Sequence, residues 1–112
     1  MAIQDKYGVA LSFHEELILK AIYAMGGKNV PTKSIGPYLE KHFGCDYART
    51  TIVTFLQRMV KKGYVISYRD GRESFQSATM SFEAYILECM DDFCELWFDG
   101  NKNKMKKCIR NI

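Results

Sequence analysis

The feature that most constrains this chain is an abrupt change of texture after residue 63. Ile52, Phe55, Leu56, Met59 and Val60 recur at i, i+3, i+4, i+7 and i+8, the apolar stripe of a helix. Lys61 and Lys62 then suit the negative end of the helix dipole, and Gly63 stops the helix. The next stretch is rich in β-formers: Tyr64-Val65-Ile66-Ser67-Tyr68-Arg69, then Asp70-Gly71, then Glu73-Ser74-Phe75-Gln76-Ser77. Asp-Gly is a two-residue hairpin signal. Pairing Arg69 with Arg72 sets Ile66 opposite Phe75, a favourable apolar cross-strand pair. A helix feeding directly into a tight hairpin excludes all-helical and all-β folds.

Two more helices precede this unit. Ser12-Phe13-His14-Glu15 reads as a capping box, followed by an apolar face of Ile18, Ala21, Ile22 and Met25 that ends at Gly26-Gly27. A second helix is expected to start near Ser34, with Thr32 or Ser34 as its cap. Pro37 is tolerated in a first turn, the buried stripe is Ile35, Tyr38, Leu39 and Phe43, and Gly44 marks the end. After the hairpin, a long helix follows Ser81, with Phe82, Tyr85, Ile86, Cys89, Met90, Phe93 and Trp97 at helical spacing and an end at Asp99-Gly100. Residues 101–112 are short and basic, one or two further helical turns.

Helix, helix, helix, hairpin, helix predicts an α+β, mostly helical chain. It divides into a winged helix-turn-helix head over 1–78 that binds DNA and a helical dimerisation segment over 79–112. The total length of 112 residues suits one small domain with an appendage. An amphipathic helix beyond a closed head needs a further surface to cover it, so Phe82, Tyr85, Ile86, Cys89, Met90, Phe93 and Trp97 are read as a dimer seam.

Charge distribution points to the partner. The net charge is only +3, yet residues 49–72 hold six bases (Arg49, Arg58, Lys61, Lys62, Arg69 and Arg72) against one acid, Asp70. Such a cluster marks a polyanion surface. In a helix-turn-helix the second helix of the pair enters the major groove. Here that is Thr50–Lys62, whose Arg49, Thr50, Thr51 and Thr54 would reach base edges while Val53 meets a thymine methyl. Arg58 and Lys61 would meet phosphates, Arg69 and Arg72 would hold the flanking backbone from the wing tip, and Lys33 and Ser34 would donate to a phosphate at a helix start. His14 and His42 are read as surface, capping or helix-end residues.

No Gly-rich phosphate loop, nucleophile–base pair or zinc spacing occurs, and Cys45, Cys89, Cys94 and Cys108 form no C-x-x-C. The expectation is therefore no enzyme, no cofactor and no metal. The opening MAIQDKYGVALSF has no apolar run behind a basic start, which predicts reduced thiols in a cytoplasmic protein. Two other functions fit the same elements: a protein-interaction module that never reads DNA, and a regulator with an effector site between the C-terminal helices.

The sequence resembles the penicillinase-repressor family of winged-helix transcriptional regulators. The resemblance rests on Leu11-Ser12-x-x-Glu15, Pro31-Thr32-Lys33, the run from Tyr47 to Arg58 with Lys61-Lys62-Gly63-Tyr64-Val65, and Tyr68-Arg69-x-Gly71-Arg72. It implies a homodimer that represses transcription from a pseudo-palindromic operator, dimerises through its C-terminal helices, and is released by cleavage triggered by a membrane receptor-protease system. The chain departs from the family's pattern in having no Asn-Phe pair for that cleavage, the nearest equivalent being Asn111-Ile112. Cys89, Cys94 and Cys108 do not match the Cys-x-Cys motif of a copper-sensing branch, so copper sensing is not expected.

Overall fold

The computed structural model describes residues 10–112, in the order α1 (Phe13–Ala24), β1 (Val30–Pro31), α2 (Thr32–Phe43), α3 (Arg49–Lys61), β2 (Val65–Asp70), β3 (Glu73–Ala78), α4 (Phe82–Phe98) and α5 (Lys102–Ile109). These residues group into two compact units, 10–81 and Phe82–Ile112. The architecture is α+β: helices with one small antiparallel sheet.

In the first unit, α1 begins as its sequence predicts. The Ser12 hydroxyl accepts from the Glu15 amide at 3.2 Å, and Glu15 reaches back to the Ser12 amide at 2.7 Å, closing the capping box. Ile18, Leu19, Ala21 and Ile22 of α1 meet Ile35 and Leu39 of α2 and Ile52, Leu56 and Met59 of α3 in a buried core. Gly36 lets α2 and α3 approach: a Cβ there would lie 3.3 Å from Ile52 Cδ1.

Three local expectations change. First, α2 starts at Thr32, not near Ser34, with Pro31 in the cap position and no side-chain cap bond. Thr32 is withdrawn from capping because its hydroxyl accepts hydrogen bonds from Ser74 and Gln76. Pro37 accordingly sits in the sixth helical position rather than the first turn. Second, the sheet has three strands, not two, in the order β1-β3-β2, with Val30 opposite Gln76 and Pro31 opposite Phe75. Pro lacks a backbone donor, which suits this short edge strand. Third, the hairpin register differs. Asp70 pairs with Glu73 and Arg69 with Ser74, so the turn residues are Gly71 and Arg72 rather than Asp70 and Gly71. Gly71 alone of these takes positive φ, 64°, as the first central residue of a type II′ turn requires. Tyr68, not Ile66, therefore faces Phe75, and the two rings stack at 5.3 Å while Ile66 is exposed. Phe43 and Val60, expected in buried stripes, are also exposed.

The second unit is a helical hairpin. Asn101 caps α5 by accepting from the Lys104 amide at 3.0 Å. Only Cys94 and Met105 are buried there. An apolar groove of about 450 Å³ runs between α4 and α5, lined by Met90, Phe93, Phe98, Met105 and Ile109 among others.

Candidate nucleic-acid interface

The side of α3 opposite Ile52, Leu56 and Met59 exposes Thr50, Thr54, Gln57, Arg58 and Lys61 as one polar face. This follows from helical periodicity: residues about half a turn from a buried stripe must face water. Thr54 donates its hydroxyl to the Thr50 carbonyl at 2.9 Å, so outward it offers a methyl group and acceptor lone pairs.

The two edges of this face differ. On one edge Arg49, Val53, Gln57 and Val60 line a groove of about 460 Å³ shared with Tyr68 and Arg69 of the hairpin. Val53 is half-buried and faces this groove, as Thr51 is half-buried on the helix's other flank, so both stand at the margins of the exposed face. Four polar side chains lining the groove, Thr32, Ser67, Ser74 and Gln76, are bonded to one another. Thr32 Oγ1 accepts from Ser74 Oγ at 2.7 Å and from Gln76 Nε2 at 3.0 Å, and Ser67 donates to Gln76 Oε1. Gln76 and Thr32 are both buried. This ladder ties the hairpin to the start of α2, which sets the spacing between wing and helix.

On the other edge stands an aromatic group drawn from three parts of the chain. His14 of α1 stacks on Phe55 of α3 with centroids 5.7 Å apart. Its Nδ1 shares a hydrogen bond with the Tyr47 hydroxyl from the link between α2 and α3. The Arg58 guanidinium lies 5.9 Å above the Phe55 ring. Desolvation, then the neighbouring Cys45, push the Tyr47 hydroxyl above its ordinary pKa. Sequence patterns do not foresee the Tyr47 and Phe55 contacts of His14, which come from residues 33 and more positions away, beyond any local periodicity.

The remaining basic residues divide. Arg69 and Arg72 sit at the wing tip, where Arg69 donates to the Arg72 carbonyl at 3.3 Å. Lys33 forms an exposed ion pair with Glu73 at 2.5 Å, and Ser34 is half-buried beside it. Lys62 turns inward. Its ammonium donates to Glu15 Oε1 at 2.7 Å and to the Ala10 carbonyl at 2.9 Å. Glu15 is 1% exposed, and its Oε2 has no hydrogen-bond partner among the described residues. Burial opposes its charge, but the hydrogen bonds from Lys62 and Ser12 and the Lys62 charge outweigh this and hold the carboxyl below its usual range. Lys62 is thus an internal tie rather than part of the basic face. Gln57 is the residue that sequence reasoning passes over: the apolar stripe places it on the exposed face, but only the tertiary structure puts it at the mouth of the wing groove.

A helix-turn-helix whose second helix presents a polar, basic face beside a β-hairpin is the winged-helix class of DNA-binding regulator. Residues 11–110 match the family model described as penicillinase repressor. The chain belongs to that family and is a winged-helix DNA-binding transcriptional repressor. No curated protein matches the chain. Among the described residues, no helix is long and apolar enough to cross a membrane.

Proposed function

We propose that the protein represses transcription as a homodimer, each copy placing α3 in the major groove of one half of a pseudo-palindromic operator. The observation that carries this is the continuity of the exposed α3 face with the wing: Thr50, Thr54, Gln57, Arg58 and Lys61 lead across the groove mouth to Arg69 and Arg72. In this reading Thr50, Thr54 and Arg49 face base edges, with Thr51 and Val53 at the margins, while Arg58, Lys61, Arg69, Arg72, Lys33 and Ser34 meet the backbone. Lys33 must leave Glu73 to do so, a small cost for an exposed pair.

Dimerisation is supported by the second unit, where Met90, Phe93, Leu96 and Trp97 of α4 are all more than one-third exposed. A second copy would cover them and fill the apolar groove between α4 and α5. Proteolytic release is no part of this proposal, because the chain has no Asn-Phe pair.

The test is selection of bound duplexes from a random library at low and near-physiological salt. The expected product is an inverted repeat whose half-sites lie about one helical turn, or a multiple, apart. Affinity for it falls with salt at a slope of about −0.9 per neutralised phosphate. No binding even at low salt, with the protein folded, overturns the reading in favour of a protein-interaction module.

A further inference from the structure

The aromatic group beside α3 is not part of the hydrophobic core. The core of the first unit closes on aliphatic side chains of α1, α2 and α3, with none of His14, Tyr47 or Phe55 fully buried. Yet the three rings are brought together from α1, the inter-helix link and α3. Ring-to-ring distances are 5.6 Å for His14–Tyr47, 5.7 Å for His14–Phe55 and 6.1 Å for Tyr47–Phe55. Each contact restrains the next. The Tyr47 hydroxyl fixes the plane of the His14 ring through Nδ1, and the His14 ring stacks on Phe55. Phe55 offers its face to the Arg58 guanidinium.

An arginine on an exposed helix face otherwise samples many rotamers, and ordering it on binding costs affinity. A ring beneath the guanidinium reduces that cost without occupying its outward N–H donors, because a cation–π contact uses the ring face rather than a hydrogen-bond acceptor. The same ring cannot hold Arg58 in place unless it is itself held. Phe55 stands at the edge of α3, and its stacking partner comes from another helix.

We propose that Tyr47, His14 and Phe55 form a positioning relay that pre-orders Arg58 for a DNA phosphate, with His14 as the residue on which the relay depends. His14 touches no DNA in this scheme; it acts through Phe55. The inference rests on Arg58 being a phosphate contact.

The test is a double-mutant cycle on the full chain, read as affinity for a fluorescently labelled duplex of mixed sequence at low salt. Phosphate contacts are indifferent to sequence, so the operator is not needed. Arg58→Ala is expected to weaken binding and to lower the magnitude of the salt slope by about 0.9. His14→Ala is expected to weaken binding about two- to tenfold, the range that ordering one side chain commands. Its salt slope stays that of the wild type, since the contact still forms once Arg58 has been ordered. In the Arg58→Ala background, His14→Ala should add no further loss. His14→Phe, which keeps a ring on Phe55, should recover most of the affinity. A loss from His14→Ala that is equal in both backgrounds overturns the relay, because the residue then acts on the fold at large. So does the absence of any loss while Arg58→Ala still weakens binding. If Arg58→Ala itself changes nothing, the phosphate role of Arg58 fails and the relay falls with it.

Discussion

The two units of this chain solve the burial problem in different ways. Residues 10–81 supply twelve of the fourteen buried apolar side chains described, on three helices and a sheet that cover one another. Phe82–Ile112 supplies only Cys94 and Met105, yet it exposes nine large apolar residues. Charge separates the units as well. Within the second, residues 82–99 carry six acids and no base, while 100–112 carry five bases and no acid. A two-helix hairpin has too few layers to enclose its own apolar side chains. The first unit buries most of its apolar stripe residues within one chain; the second leaves most of its own exposed.

The widest test of that contrast is a pair of substitutions. Leu39→Ala, at a position with no exposure, should cost the first unit about 2–5 kcal/mol by leaving a cavity, at any protein concentration. Phe93→Asp, at a position 54% exposed within one chain, should leave the first unit's stability unchanged. If two copies pair through this unit as proposed, it should abolish that association, a loss of at least ~2 kcal/mol for a central apolar anchor. Thermal melts across a concentration series, with sedimentation, read both. A wild-type melting temperature independent of concentration would break the contrast.

Inside the first unit, Lys62→Met should cost about 2–3 kcal/mol, below the ~3–5 of a fully buried pair because the Lys62 side chain remains one-quarter exposed. The pH dependence comes from the lowered pKa of Glu15. A carboxyl that binds protons less readily when folded adds stability above the ordinary carboxylate range. That stability is lost as pH falls through the folded value. Denaturation curves of wild type and Glu15→Gln should therefore differ at neutral pH and converge in acid. The smallest effect is expected at the surface pair Lys33–Glu73, where both side chains are more than half exposed. Glu73→Ala should change stability by less than about 1 kcal/mol. On the reading of Lys33 as a phosphate contact, the same substitution should tighten DNA binding slightly by freeing the lysine, measurable as a shift in the binding curve at low salt.

The legibility of the fold tracks the distance over which each decision is made. The Ser12–Glu15 capping box and the core stripe of α3 are decided by residues within a few positions of one another, and local sequence patterns display them. The hairpin is visible in the sequence as a hairpin, but Asp70-Gly71 admits two registers. Turn chemistry alone does not choose between them; the Tyr68–Phe75 stack and the ladder from Ser74 and Gln76 to Thr32 accompany the register that forms. The site divides in the same way. The exposed face of α3 comes from periodicity, whereas the inward turn of Lys62 depends on Glu15, which lies 47 residues away.

What the amino-acid sequence determined by itself is therefore the order of the helices and the hairpin, the core positions Ile18, Ala21, Ile22, Ile35, Leu39, Ile52, Leu56 and Met59, and the concentration of positive charge between residues 49 and 72. Each is a property of residues near one another along the chain, set by helical periodicity, capping and composition. Only the tertiary structure decided that Val30–Pro31 joins the sheet, that Thr32 bonds the hairpin instead of capping its helix, and that His14 meets Tyr47 and Phe55. A polar or aromatic side chain takes whichever partner packing delivers, and packing is settled between segments that the chain keeps far apart.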